Sequence, residues 1–149
     1  MIKRIASWAD EVQRALGRGR PEGAYEHLLA ELLRADGFTV ECQRDIYIDV
    51  VACGQAHRIL VGRCDMIAGL PGEDQILLEL KAGVDAKEAH ADQLRGYVRD
   101  LDGLDGDGRA FMIYFDHPWR RDAWIVRLED IYSWSQSNEE HRKRLAGRK

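Results

Sequence analysis

The chain has 149 residues, 45% of them hydrophobic and 32% charged, with a formal net charge of −4. That length and mix describe one folded domain over residues 1–149 with a core of its own, and they exclude a disordered chain. No apolar run approaches the roughly 18 residues of a membrane-spanning helix, and the mildly acidic balance is not that of a wholly basic DNA-binding domain.

The first helix is predicted over "SWADEVQRALG" (7–17), whose apolar residues recur at helical spacing and which ends on Gly17. A second, longer helix starts at or just after Pro21, where proline is tolerated, and stops at Gly37; Tyr25, Leu28, Leu29, Leu32 and Leu33 give it one apolar face. "FTVECQRDIYIDV" (38–50) alternates apolar and polar residues and reads as a strand. "HRILVGRCDMIAG" (57–69) is a second strand, "LPGED" a turn, and "QILLELKAG" (75–83) the third strand, closing a hairpin with the second. "DAKEAHADQLRGYVRDL" (85–101) has helical periodicity, "DGLDGDG" (102–108) reads as a loop, and "RAFMIYFDH" (109–117) is a continuous apolar strand expected at the centre of a sheet. "AWIVRLEDIYSWSQ" (123–136) supplies one more short strand and the start of a C-terminal helix. The order α-α-β-β-β-α-β-(β)-α implies an α/β fold, a mixed sheet of about four to five strands with helices on both faces.

Charge is unevenly spread. Residues 1–20 carry Lys3, Arg4, Arg14, Arg18 and Arg20 against Asp10 and Glu11, and the helical tail at 129–149 ends in "HRKRLAGRK", with five basic residues and no acid. A polyanion would be met by these ends, although a basic tail equally serves as a solubilising helix end. The start "MIKRIASWADEV" becomes charged too early for a secretory signal, so a cytoplasmic location is expected, with no membrane partner. Cys42, Cys53 and Cys64 are odd in number and evenly spaced, which fits neither disulfides nor zinc; they read as small buried or half-buried hydrophobes. "DLDGLDGDG" (100–108) fails the calcium-loop spacing, with Asp105 where that loop needs glycine. "FDHPWRRDAW" (115–124) sets Trp119 and Trp124 beside Arg120 and Arg121, which suits base stacking and, equally, a turn whose tryptophans cover the core.

The chemistry concentrates in "DQILLELKAG" (74–83). Glu79 and Lys81, two apart on a strand, project from the same face, inside a segment apolar enough to be buried. Asp65 precedes Glu79 by a gap of thirteen residues, enough for the rest of one strand, a turn and the return. A hairpin of that length can set the two carboxylates side by side, where they repel unless something positive lies between them. A hard divalent cation, Mg²⁺ or Mn²⁺, meets that need, and Lys81 on the same face suits contact with water or phosphate. A surface ion-pair patch on a two-stranded ribbon is the plainer alternative.

Asp65 followed by Glu79-Leu80-Lys81 resembles the D-(x)n-(D/E)-x-K core of the PD-(D/E)XK nuclease superfamily. "GRPEGAY" (19–25) is similar to the G-x-x-E-x-x-Y that names one subgroup, and "QLRGY" (93–97) to the Q-x-x-x-Y element of RecB-type nuclease domains. The resemblance covers roughly residues 19–118. It implies a restriction-endonuclease-like core and a nuclease that hydrolyses phosphodiester bonds, with DNA the favoured nucleic acid. It further implies that Asp65, Glu79, the Leu80 carbonyl and Glu22 hold Mg²⁺ (or Mn²⁺), that Lys81 positions the attacking water, and that Gln93 and Tyr97 steady the phosphate or the lysine. Glu22 sits in the first turn of its helix, where a carboxylate is favoured; Tyr25 would face the core; Gln93 and Tyr97 share one helix face, with His90 a turn earlier. The aspartate is preceded by Cys64 rather than proline, and the three cysteines do not make an iron–sulfur set. A silent nuclease-fold module that binds nucleic acid or a protein partner is the rival expectation, and a homodimer stays open.

Overall fold

The computed structural model describes residues 1–101 and 109–134; the predicted loop at 102–108 and the basic tail beyond 134 lie outside the described residues. Eight elements are bounded: α1 (Ile2–Leu16), α2 (Glu22–Ala35), β1 (Thr39–Ala52), β2 (Gln55–Gly69), β3 (Ile76–Ala82), α3 (Glu88–Asp100), β4 (Ala110–Phe115) and β5 (Trp124–Arg127). A further helix, α4, occupies 128–134. The strands form one sheet in the order β1-β2-β3-β4-β5. Neighbours are antiparallel except β3 and β4, which run parallel and are joined through α3. This is the expected α/β fold with a mixed five-stranded sheet, consistent with a restriction-endonuclease-like core. No helix among the described residues is long and apolar enough to cross a membrane.

Both faces of the sheet are covered. Ile5, Ala9 and Val12 of α1 and Tyr25, Leu29 and Leu33 of α2 pack on Met66, Leu78, Leu80, Ile113 and Phe115. On the opposite face Ala91, Leu94 and Val98 of α3 and Leu128 and Ile131 of α4 pack on Ile67, Leu77, Met112 and Tyr114. Each helix thus presents one stripe at 3.6-residue spacing, and the inner strands divide their residues between two cores.

Some boundaries differ from those expected. α1 begins at Ile2 rather than Ser7, because Ile2 and Ile5 extend the apolar stripe of Ala9, Val12 and Leu16 by a turn. The strand β4 is buried throughout, but the middle position belongs to β3. α2 ends in a Schellman motif: Phe38 N–H bonds the Leu33 carbonyl, Gly37 N–H bonds that of Arg34, and Gly37 takes the positive φ of 91° that glycine tolerates. β1 and β2 form a long hairpin whose turn is Cys53-Gly54, both at positive φ. Cys53 is therefore exposed at the tip, correcting its reading as a buried hydrophobe, whereas Cys42 is half-buried and Cys64 buried. Ile46 pairs with Gly62 but Tyr47 with Leu60, so Val61 is an extra residue, a bulge that bends the hairpin beyond it.

Candidate functional site

The hairpin ladder between β2 and β3 is short, running from Ala68 opposite Ile76 to Met66 opposite Leu78. One step further the strands part, and main-chain groups that would have paired across the sheet need other partners. The two acidic side chains supply them. Asp65 N–H donates to Glu79 Oε1 at 2.7 Å, and Leu80 N–H donates to Asp65 Oδ2 at 2.8 Å. The hairpin arithmetic thus brings Asp65 and Glu79 together in the mouth of the splayed strands. A strand residue sends its N–H and C=O to the same side, so the Leu80 carbonyl faces this gap as well.

Local irregularity aims Asp65 there. Cys64 belongs to the core under α3 while Met66 belongs to the core under α1 and α2, whereas a regular strand would put both on one face. Opposite Asp65, between the pairs Cys42–Met66 and Arg44–Cys64, Gln43 has a φ of 55°. Its Nε2 donates to both carboxylate oxygens of Glu26, at 2.8 and 2.9 Å, and reaches Asp65 Oδ1 at 3.3 Å.

Glu79 is only 2% exposed. Burial and the neighbouring Asp65 carboxylate push its pKa up to about 9, with Lys81 pulling the other way. Lys81 is half-buried, in register with Tyr114, and within electrostatic reach of Glu22, Glu79 and His90. Glu22 is the first residue of α2, where the Lys81 ammonium and the Ala82 main chain favour its charge. Burial first, then Asp65, raises the pKa of Glu22, and burial likewise raises that of Glu26. Tyr25 is fully buried as expected, its hydroxyl donating to the Gly17 carbonyl and its ring stacked on Phe115 at 4.9 Å.

On the other flank Gln93 Nε2 donates to the Tyr97 hydroxyl at 2.9 Å. Burial raises the Tyr97 pKa, with Glu79 first and then Asp65 adding to it, so the phenol is within electrostatic reach of the acid pair. His90, a turn earlier, meets the Tyr114 hydroxyl through Nδ1 at 2.9 Å, and burial together with Lys81 and Lys87 lowers its pKa to about 4. Of the six residues singled out from the sequence, Asp65 and Glu79 are in contact, Glu22, Lys81 and Tyr97 are within electrostatic reach of one or both, and Gln93 joins them through its bond to Tyr97, the last two lining a cleft with Val61 and Asp100.

Sequence reasoning missed three contributors. Glu26 follows Glu22 by four residues on the same helix face, a signal that was present. Gln43 carries no signal, since its role depends on the backbone turn opposite Asp65. Gly62 is the third: a Cβ there would lie 2.7 Å from Tyr97 Cε1, so the ring rests on bare backbone.

Asp65 and Glu79, with the Leu80 carbonyl, form a set of hard oxygen donors that suits Mg²⁺ or Mn²⁺. Among the described residues no three His, Cys, Asp or Glu side chains are gathered into one cage.

No curated protein matches the chain. Two solved structures are similar to it: one titled "Crystal structure of SSO0001", at 17% identity and a TM-score of 0.49, covering 90% of this chain and 67% of that one, and a protein of unknown function from Silicibacter pomeroyi, SPO1766, at 17% identity and a TM-score of 0.29, covering 78% of this chain and 83% of that one. The family model of the PD-(D/E)XK nuclease superfamily matches residues 1–121. Members of that superfamily are generally nucleases, usually use divalent metals, and so act on nucleic acid. Because the matched stretch takes in both strands of the splayed hairpin and most of the 149 residues, this chain belongs to the PD-(D/E)XK nuclease superfamily.

Proposed function

We propose that residues 1–149 form a single nuclease domain that hydrolyses phosphodiester bonds with the help of Mg²⁺ or Mn²⁺, with DNA the first substrate to test. The observation that carries this reading is the meeting of Asp65 and Glu79 in the mouth of the hairpin, one face of which also bears Lys81. Asp65, Glu79 and the Leu80 carbonyl would hold the cation, with Glu22 assisting directly or through water. When bound, the cation supplies Lewis-acid charge to the phosphate and lowers the pKa of a coordinated water. Lys81, two residues from Glu79 on the same strand face, would orient the attacking water and neutralise charge growing on the phosphate oxygens. Gln93 and Tyr97, bonded to each other, offer an amide and a phenol that fix the phosphate or Lys81 in place.

The competing reading is a module that keeps the fold and binds nucleic acid or a protein partner without cutting, alone or as a homodimer. One observation favours it: both central carboxylates already bond main-chain amides, as a purely structural lock would. Digestion of a panel of single-stranded DNA, duplex DNA and RNA with Mg²⁺ separates the two. Cutting by the wild-type protein that falls at least a hundred-fold in both E79Q and K81A supports the nuclease. Cutting at equal rates by all three proteins, or by none, removes that assignment.

A further inference from the structure

One constellation is not used by the acid site. At the end of β4, the segment 116–122 packs against the 17–21 loop that leads into Glu22. Gly19 N–H donates to Asp116 Oδ2 at 2.9 Å. Arg18 donates to the His117 carbonyl through both terminal nitrogens at 3.2 Å, and its Nε lies 2.9 Å from Asp116 Oδ1, which has no aligned hydrogen bond of its own. The turn itself is closed by Arg120 N–H to the His117 carbonyl.

Beneath the turn is a buried polar anchor. His117 is fully buried, its Nε2 2.7 Å from Asp85 Oδ1, and its Nδ1 accepts the Trp119 N–H at 3.1 Å. An accepting Nδ1 fixes the ring as the Nε2–H tautomer, so Nε2 donates to the carboxylate. Asp85 also takes the Trp134 indole N–H at 2.9 Å and the Ala86 N–H at 2.8 Å. Burial works against the Asp85 charge, but these donors outweigh it and hold its pKa below the ordinary value. Arg120 lies over the Trp124 ring at 3.9 Å.

On this rigid base Trp119 is held out to solvent, 66% exposed. A tryptophan that merely covered a core would be turned inward, as Trp124 and Trp134 are. Around it runs a cleft of about 540 Å³ lined by Arg14, Arg18, Arg120 and Arg121, with Asp122 the single acid, on a chain whose net charge is −4. Arg14 and Arg18 are shared with Glu11 and Asp116, while Arg121 has no ion pair among the described residues. The platform stands at the same end of the sheet as the acid site: Ala82, next to Lys81, is in register with Phe115, and Gly83 N–H bonds the Phe115 carbonyl.

We propose that the 117–122 turn is a stacking platform for an unpaired base, Trp119 receiving the base and Arg121 and Arg14 the flanking phosphates, so that the substrate presented to the acid site is single-stranded or frayed nucleic acid. An exposed indole accepts any base by its π-face, and duplex bases are already stacked on one another. The platform deepens the nuclease reading and rests on it for the purpose of bringing a strand to this end of the sheet.

The test is fluorescence anisotropy of a labelled thymidine oligomer of about twelve nucleotides, and of a duplex of equal length, with the intact protein in EDTA so that nothing is cut. W119A is expected to bind the single strand about ten-fold more weakly and the duplex within about two-fold of wild type, with W119F regaining most of the loss. R121Q should flatten the salt dependence of single-strand binding by about 0.7 in log–log slope. Single-strand affinity unchanged in W119A, equal loss on both oligonucleotides, or no binding by wild type overturns the platform. Wild type that binds through Trp119 yet never cuts in Mg²⁺ keeps the platform and removes the nuclease; cutting that persists with W119A binding unchanged does the reverse.

Discussion

Tyr97 rests against Gly62, so closely that a methyl group on that glycine would fall 2.7 Å from the ring. The glycine adjoins the Val61 bulge, and the ring it admits carries the hydroxyl bonded by Gln93. G62A should cost about 1–3 kcal/mol through overpacking, read by urea denaturation. In a Y97V background the same substitution should cost less than half as much. Equal costs in both backgrounds would show that the ring is not what the glycine accommodates.

The acid pair makes a prediction about stability that is separate from cutting. Burial of the Glu79 carboxyl beside Asp65 disfavours its charge, so E79Q should leave the metal-free protein at least as stable as wild type, the amide oxygen still accepting the Asp65 N–H. Mn²⁺ at a hundred times its Kd should stabilise wild type by about 2.7 kcal/mol. E79Q and D65N should lose most of that gain, measured by thermal melting with and without the ion. A Mn²⁺ effect equal in all three proteins would place the cation elsewhere.

How much of this was legible beforehand depends on the range of the interaction. That Asp65 and Glu79 come level follows from hairpin length, which is local, although the aim of Asp65 depends on the broken alternation between Cys64 and Met66; Glu22 and Tyr25 follow from one helical turn after Pro21. The roles of Gln43 and Gly62 could not be read in the same way. Gln43 matters through a left-handed backbone opposite Asp65, and Gly62 through a ring thirty-five positions away, and neither leaves a periodic trace in the chain. Glycine inside a strand did hint at a bulge or a close approach. The outward turn of Trp119 depended on the buried His117–Asp85 anchor, whose partners are thirty-two residues apart.

His90 gives a pH dependence with a definite sign. Burial and the nearby lysines lower its pKa to about 4, from an ordinary 6.5. Between those values the unfolded chain binds a proton that the folded protein refuses, so stability falls as pH drops from 6.5 towards 4 and levels off below. H90Q, which can still bond the Tyr114 hydroxyl, should show a shallower fall in melting temperature over that window. Parallel profiles for wild type and variant would count against a buried neutral imidazole.

The three thiols should separate by reactivity. Cys53 is exposed at the hairpin tip, Cys42 half-buried, and Cys64 buried with its pKa pushed up to about 12, first by burial and then by Glu79. A thiol reagent at neutral pH should modify Cys53 in seconds to minutes, Cys42 more slowly, and Cys64 only on unfolding. C53S should abolish the fast phase alone; a fast phase that survives would relocate the hairpin turn.

The parallel ladder between β3 and β4 has a consequence for the order in which the molecule assembles. Strands β1 to β3 meet through short reversals, whereas β4 can join only after α3 and the segment behind it have closed a long loop. The carboxylates therefore sit on the part that can form early, and the tryptophan turn on the part that must arrive late. Pulse-labelling of amides during refolding should protect Ile67 and Leu77 before Ile113, and a chain caught between those stages would own its acids without a surface to lead a strand toward them.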